Sequence, residues 1–172
     1  MKHYTFFLMP EKAVARRVEI LRSRLINTTL VDGLPAHLSF KRRFFLKKGF
    51  REDYLKKVLR SFRSTILTGS VRRVRRLGEA MTILIQSNMI VKAHRQLLTL
   101  LSESTVTLIP KHEGNNFLPH ITIVRDRERT LKVKLADIAF RRVTFDTLCL
   151  YEIDPKTRKW ARKIVCKKLG KP

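Results

Sequence analysis

The sequence predicts a mixed α+β chain with two similar halves facing one cleft. The prediction rests on two segments, Ala36 to Arg42 and Pro119 to Arg125, which share a His, an aliphatic residue, a hydroxyl residue and an Arg five positions after the His. A helical pattern and a strand pair follow each segment, so the order motif, helix, hairpin occurs twice. No Pro/Gly-rich linker divides the 172 residues, and we expect one domain, 1–172, with two related lobes.

The first quarter of the chain has the pattern strand, helix, loop, motif strand. β-forming residues from His3 to Met9 predict the strand, and Pro10 suits the first turn of a helix. The helix has an apolar stripe of Val14, Val18, Leu21 and Leu25. We expect its other face to be solvated or to meet phosphates; that face carries Lys12, Arg16, Arg17, Arg22 and Arg24. A loop over 27–35 leads to the first motif.

The middle of the chain predicts a helix, a hairpin and a second helix. Phe44 and Phe45 interrupt a basic run after the first motif, where a core role is favoured over base stacking. A helix opens at Glu52 and Asp53. Thr65 to Ser87 predicts a hairpin with its turn near Gly78. The next helix runs from an Asn88 N-cap through Leu101, and His94 lies in its apolar stripe, as a packing histidine does.

The last third begins with a long loop, Ser102 to Leu118, where position alone lets His112 approach a ligand. Asp126 to Ile138 fits a strand or a helix, and we favour the helix. A closing hairpin pairs Val143–Ile153 with Trp160–Leu169 through a turn at 154–157. We expect Cys149 and Cys166, on these neighbouring strands, to be reduced thiols, because neither has metal-ligand spacing.

The charge of the chain points to a polyanionic partner. Lys and Arg number 38 against 14 Asp and Glu, a formal net charge of +24. Nucleic acid is the first candidate, and a basic surface without a specific partner is the alternative. Four clustered arginines are either RNA contacts or a solvated face, with neither favoured: Arg72, Arg73, Arg75 and Arg76. The basic residues are spread along the chain and the apolar start is short, so we expect a cytoplasmic protein without a membrane role.

The repeated motif suggests acid/base chemistry at phosphorus. Side chains alternate along a strand, so His37 shares a face with Ser39, and His120 shares a face with Thr122. At neutral pH one imidazole accepts a proton while another donates one, and the hydroxyls hold phosphate oxygens. The sequence contains no convincing metal-ligand spacing, so we expect no metal and no cofactor.

The paired motifs resemble those of the two-histidine phosphoesterase superfamily, whose mark is two His-x-Ser/Thr motifs. The likeness extends over nearly the whole chain, including Met9-Pro10-Glu11 after the first strand, the Phe117-Leu118-Pro119 lead into the second motif and the closing hairpin. Within the superfamily, the sequence is similar to the branch of 2′-5′ RNA ligase-like proteins and cyclic phosphodiesterases. Its closing hairpin is similar to that of the small YjcG-like proteins. Ser39 stands where the family pattern has Thr.

The resemblance implies a bilobal α+β fold of duplicated lobes, with antiparallel sheets lining a central cleft. It also implies a phosphodiesterase or ligase acting on 2′,3′-cyclic phosphate or 2′-5′ bonds, with His37 and His120 as acid and base and with Ser39 and Thr122 binding phosphate. The expected partner is RNA, either tRNA or an RNA end with a cyclic phosphate. The expected contacts are Lys41, Arg42, Arg125 and the four clustered arginines. Two alternatives stay open: a non-catalytic basic RNA-binding module, and a phosphodiesterase of a small nucleotide. The oligomeric state and the assignment of acid and base stay open too.

Overall fold

The computed structural model describes residues 1–26, 31, 33–154 and 160–170. The helices in this part of the chain are α1 (Lys12–Ile26), α2 (Glu52–Ser61) and α3 (Asn88–Leu101). The strands are β1 (His3–Pro10), β2 (Leu38–Leu46), β3 (Leu67–Leu77), β4 (Ala80–Gln86), β5 (Thr105–Thr107), β6 (His120–Arg125), β7 (Arg142–Ile153) and β8 (Trp160–Lys168). Three short 3₁₀ turns accompany them at Pro110–His112, Gly114–Asn116 and Leu135–Asp137.

The described strands form one antiparallel sheet in the order β1-β2-β6-β4-β3-β7-β8, and β5 pairs with β2. β7 also pairs with β1, so the sheet curves back on itself. We use the term lobe for each of two groups of paired strands, one of β1, β2 and the second half of β7 and the other of β3, β4 and β6. The lobes meet where β2 pairs with β6 and where β3 pairs with the start of β7. The chain therefore has the α+β fold with antiparallel sheets that its sequence predicts.

The predicted repeat of motif, helix and hairpin is wrong, because no helix follows the second motif strand in the described residues. The repeat in this part of the chain consists of a strand, a helix and a motif strand. β1, α1 and β2 form the first copy, and β4, α3 and β6 form the second. In each copy the motif strand pairs antiparallel with the strand that precedes the helix. The two motif strands thereby occupy neighbouring positions in the sheet.

The helix predicted for Asp126 to Ile138 is wrong, because this segment is a loop with one 3₁₀ turn. The buried Asp126 carboxylate accepts a hydrogen bond from the Leu131 N–H at 2.9 Å and one from Arg76 at 3.0 Å. These bonds fold the segment back on its own start. The local periodicity fits both a strand and a helix, and the tertiary contacts of Asp126 determine that this segment forms neither.

Several predicted boundaries are close to the observed ones. The first hairpin turns at Gly78, whose φ of +61° suits glycine, and the closing hairpin forms as β7 and β8. β1 extends through Pro10, and Ser87 replaces Asn88 as the N-cap of α3, since its hydroxyl accepts the Ile90 N–H at 3.2 Å. The predicted loop at 27–35 and turn at 154–157 lie largely outside the described residues.

The cysteines form a disulfide, so the prediction of reduced thiols is wrong. Cys149 of β7 and Cys166 of β8 are direct partners across the two strands, which brings their side chains together. The sequence places the two residues on neighbouring strands but does not give the register that aligns them.

One apolar core runs through both lobes and includes Phe6, Phe40, Leu97, Ile121 and Phe145, all at 1% exposure or less. No helix in the described part of the chain combines the length and apolarity needed to cross a bilayer.

Candidate active site

The two motif strands meet at their central residues. Leu38 of β2 is the Cα partner of Ile121 of β6, and both side chains are fully buried. Neighbouring side chains on a strand point to opposite faces. The histidine and the hydroxyl residue on either side of each buried residue therefore emerge together, from two adjacent strands, on the face away from the core.

A cavity of about 560 Å³ opens on this face. Its lining includes Ser39, His120 and Thr122, together with three arginines, Arg42, Arg75 and Arg125. The remaining lining comes from the turn of the first hairpin and from the loop before β6: Leu77, Gly78, Ala80, His112, Asn116, Phe117 and Leu118. The hydroxyl residues of both motifs thus line the same cavity as three arginines.

His37 is not among the lining residues of this cavity. It is half-buried beside the cavity, with its ring 4.0 Å from that of Phe7 between centroids. Phe7 belongs to a small apolar cluster with Leu34 and Cys149. The His37 ring thus packs against Phe7, at the edge of this cluster.

Both motif histidines are oriented by the same backbone contact. His37 Nδ1 lies 2.8 Å from the Pro35 carbonyl, and His120 Nδ1 lies 2.7 Å from the Leu118 carbonyl, in each case two residues upstream. A carbonyl oxygen only accepts, so Nδ1 carries the proton in both rings. Nε2 is then the nitrogen that exchanges a proton with a substrate.

The surroundings of His120 favour its neutral form. Burial lowers the pKa of His120 most, and the charges of Arg42, His112 and Arg125 lower it further, while the bond to the Leu118 carbonyl opposes them. The ring is accordingly neutral at physiological pH. A neutral imidazole with a free Nε2 is a proton acceptor.

Each motif strand contains a β-bulge directly after its hydroxyl residue. Opposite the consecutive residues Phe6 and Phe7, β2 places Lys41 and Ser39, so Phe40 is the extra residue. Opposite Met81 and Thr82, β6 places Val124 and Thr122, so Ile123 is the extra residue. A bulge shifts the alternation of side chains by one. The arginine at the fifth position after each histidine therefore lines the cavity, although a regular strand would turn it away.

Lys41 consequently occupies an interior position, matching the fully buried Val124 of the other motif. Its side chain is 2% exposed, and Nζ donates to both carboxylate oxygens of Glu113 at 2.7 Å and to the Thr107 hydroxyl. In a regular strand Lys41 would share the face of Ser39, and the bulge puts Arg42 on that face instead. Lys41 is thus removed from the expected RNA contacts.

A buried side chain from a helix supports each bulge. Arg22 of α1 donates through Nε to the carbonyl of Ile123 at 3.1 Å, and through a terminal nitrogen to that of Thr122 at 2.7 Å. His94 of α3 donates through Nδ1 to the carbonyl of Phe40 at 2.7 Å. Both bonds reach the extra residue of a bulge, whose carbonyl has left the regular ladder.

Arg22 was expected on the basic outer face of α1, and its full burial corrects that expectation. Nothing in the sequence separates it from its exposed neighbours Arg16 and Arg24, because its partners are carbonyls of a distant strand. The prediction of His94 as a packing histidine is confirmed by its 1% exposure. Its role at the bulge was not foreseen.

The clustered arginines divide into three groups. Arg75 lines the cavity, and Arg72 and Arg73 are exposed on the same strand. Arg76 donates to the Asp126 carboxylate and to the backbone carbonyls of Asp126 and Leu131. Arg76 is thereby engaged in holding the 126–131 loop, and we leave it out of the RNA-contacting set.

The loop before β6 supplies cavity residues that sequence reasoning missed, Asn116 and Phe117, and places His112 at the cavity too. Two contacts tie this loop to the bulge of β2. One is the ion pair of Glu113 with Lys41, and the other is the bond from the Gly114 N–H to His94 Nε2 at 3.3 Å. Within the described residues, no group of three or more His, Cys, Asp or Glu side chains is placed to hold a metal ion.

The fold matches solved phosphoesterase structures over the full chain. A structure described as a phosphoesterase superimposes with a TM-score of 0.66 at 15% identity, covering 99% of both chains. E. coli LigT, solved with NADP⁺, gives 0.68 at 12% identity over 98% of both chains. The PDE domain of MHV ns2 gives 0.53 at 14% identity, over 98% of this chain and 100% of that one.

No family model matches the sequence, and no curated protein matches it either. The structural likeness agrees with the paired motifs read from the sequence. The chain has the fold of the two-histidine phosphoesterase superfamily.

Proposed function

We propose that the protein is a metal-independent phosphodiesterase of RNA that acts on 2′,3′-cyclic phosphate or 2′-5′ bonds. The observation that carries this proposal is the pairing of Leu38 with Ile121, which presents two His-x-hydroxyl pairs on one face beside a cationic cavity. The fold of phosphoesterases supports the reaction class. The net charge of +24 supports a polyanionic substrate.

The proposed mechanism assigns the base from the environment of His120. Neutral His120 accepts a proton from water through Nε2 as the water oxygen bonds to phosphorus. One ring P–O bond of the cyclic phosphate breaks, and protonated His37 gives its proton to the leaving ribose oxygen. Ser39 and Thr122 donate hydrogen bonds to the non-bridging oxygens, where negative charge develops. Proton exchange with solvent then restores both imidazoles.

The substrate is proposed to be an RNA end because cationic side chains continue beyond the cavity. Arg72 and Arg73 are exposed on β3 next to Arg75, which lines the cavity. A row of arginines along one strand suits the phosphates of a polymer, and its contribution is salt-dependent. Cytoplasmic localisation is part of this proposal.

The test uses a short RNA that ends in a 2′,3′-cyclic phosphate, incubated with the protein in EDTA, and follows the end group by chromatography. We expect the wild type to open the ring, and His37→Ala and His120→Ala each to lose activity while keeping the far-UV circular dichroism of the wild type. Arg72→Ala changes a proposed RNA contact and leaves the cavity lining intact. It therefore shows how much turnover is lost when RNA binding alone is weakened. Turnover that survives in the double histidine variant would refute two-histidine catalysis.

A second candidate is a basic RNA-binding module without turnover, which the exposed Arg72 and Arg73 favour. It predicts salt-dependent binding of the same RNA, weakened by Arg72→Ala with Arg73→Ala, and no ring opening under any condition. A phosphodiesterase of a small nucleotide is the remaining alternative. It predicts rates that do not depend on RNA length.

A further inference from the structure

Arg42 is a partly buried cation at the cavity. Its side chain is half-buried and lines the cavity, and no hydrogen bond or ion pair with another described residue engages its guanidinium. A partly buried charge is costly unless it is paired. The exposed Arg72 and Arg73 are solvated by water, but Arg42 is partly withdrawn from it.

The charges around Arg42 add to the excess of positive charge at this end of the cavity. Burial lowers the pKa of Arg42 most, and the positive charges of Arg125 and Arg43 lower it further. Glu113 is the carboxylate that opposes them. Both of its oxygens already accept from Lys41 Nζ at 2.7 Å, so its charge is largely neutralised. The field at the Arg42 end of the cavity therefore attracts an anion.

Two further polar side chains line the cavity beside Arg42. His112 lines the same cavity as Arg42. Burial lowers the pKa of His112 most, and the charge of Arg42 lowers it further. Asn116 lies on the same loop, four residues on, and lines the same cavity. A guanidinium, an imidazole and an amide are hydrogen-bond donors that suit phosphate oxygens.

This group differs from the hydroxyl pair of the motifs in the segments that supply it. His112 and Asn116 come from the loop before β6, and Arg42 is three residues further along β2 than Ser39. In the proposed mechanism Ser39, Thr122 and the two histidines already contact the reacting phosphate. The donors at Arg42 are thus additional to those that the proposed mechanism uses.

We propose that Arg42, His112 and Asn116 form a second anion site, which binds a phosphate of the substrate next to the one that reacts. The proposal deepens the proposed function and rests on it. It defines the substrate class as a nucleic-acid end with at least two phosphates, in preference to a nucleoside with a single cyclic phosphate.

The kinetic test compares two substrates that differ by one phosphodiester: cytidine 2′,3′-cyclic phosphate and a dinucleotide that ends in the same group. Charge-assisted hydrogen bonds contribute enough that we expect kcat/KM of the wild type to favour the dinucleotide by about tenfold or more. Arg42→Met should lower kcat/KM more for the dinucleotide than for the mononucleotide, and Arg42→Lys should recover part of the preference. Arg60→Met, at an exposed position of α2 that does not line the cavity, is the matched control and should keep the wild-type preference.

An equal loss on both substrates would place Arg42 on the reacting phosphate and overturn the second site. An unchanged preference in Arg42→Met would overturn it too.

If the wild type opens neither substrate, the proposed function fails, and the second site is then tested by binding alone. Calorimetry then compares inorganic phosphate with pyrophosphate. The site predicts that pyrophosphate binds more tightly and that Arg42→Met removes this advantage; equal affinities in the wild type would overturn it. Thermal melting confirms that each variant is folded.

Discussion

Leu38 of the first motif lies directly opposite Ile121 of the second, and both side chains are buried completely in the core shared by the lobes. This pair fixes the relative position of the two motif strands, since His37 and Ser39 flank Leu38 while His120 and Thr122 flank Ile121. The geometry of the proposed site therefore depends on apolar packing on the opposite face of the sheet.

Shortening Ile121 tests this dependence. Ile121→Ala should lower the free energy of unfolding by about 3 kcal/mol, because a large buried aliphatic side chain is replaced by a cavity. It should also lower kcat by loosening the two histidines. Denaturant unfolding and kinetics on the cyclic-phosphate RNA measure both effects. Ile83→Ala, fully buried on β4, is the matched control, and an equal loss of kcat in that variant would contradict a specific role of the Leu38 pair.

Arg22 is predicted to position the second motif through the bulge at Ile123. Arg22→Met leaves buried carbonyls without donors, and we expect a loss of about 2 to 4 kcal/mol in the free energy of unfolding. Below the melting temperature, kcat should fall more than KM changes, because Thr122 and His120 lose their backbone support. Arg24→Met, on the exposed side of α1, should stay within about 0.5 kcal/mol of the wild type. A wild-type kcat in folded Arg22→Met would show that the bulge needs no support from the helix.

The pH dependence of kcat/KM should reflect His120. Its pKa is lowered from 6.5, so the ring stays neutral below pH 6.5 and gains a proton only as the pH falls through the lowered pKa. We therefore expect an acid limb below pH 6.5, where the proposed base is lost. Arg125→Gln removes one of the charges that disfavour protonation, so it should raise the pKa of His120 and shift the limb to higher pH. Titration of the His120 ring signals by NMR checks both; a shift in the opposite direction contradicts the assigned cause.

His94 should make the fold sensitive to acid. Burial lowers its pKa to about 4 from 6.5. Because the folded-state pKa is the lower one, the unfolded state binds the proton first, and stability present above pH 6.5 is lost as the pH falls toward 4. At about 1.4 kcal/mol per pKa unit the loss approaches about 3 kcal/mol. Urea unfolding at several pH values measures it. His94→Gln, which does not titrate, should show a smaller decline over this range, and an identical decline would exclude His94 as its source.

Local patterns in the sequence determine the repeated motifs, the hairpin at Gly78, the apolar face of α2 and the pairing of β7 with β8. These features depend on residues close together in the chain, such as a turn glycine between two alternating segments. The site residues on regular strand, Ser39, His120 and Thr122, follow from the same alternation.

The tertiary structure alone decides which basic residue faces the cavity. Lys41 and Arg42 are adjacent and chemically alike, and their burial is set by a bulge whose register depends on Phe6 and Phe7 of another strand. The same holds for Arg22, whose partners lie on β6, and for Cys149, whose disulfide needs the register of β8. The sequence by itself determines the side chains of the two motifs, because each motif is local. The positions of the charges around them depend on strand pairs far apart in the chain, and only the folded sheet sets those.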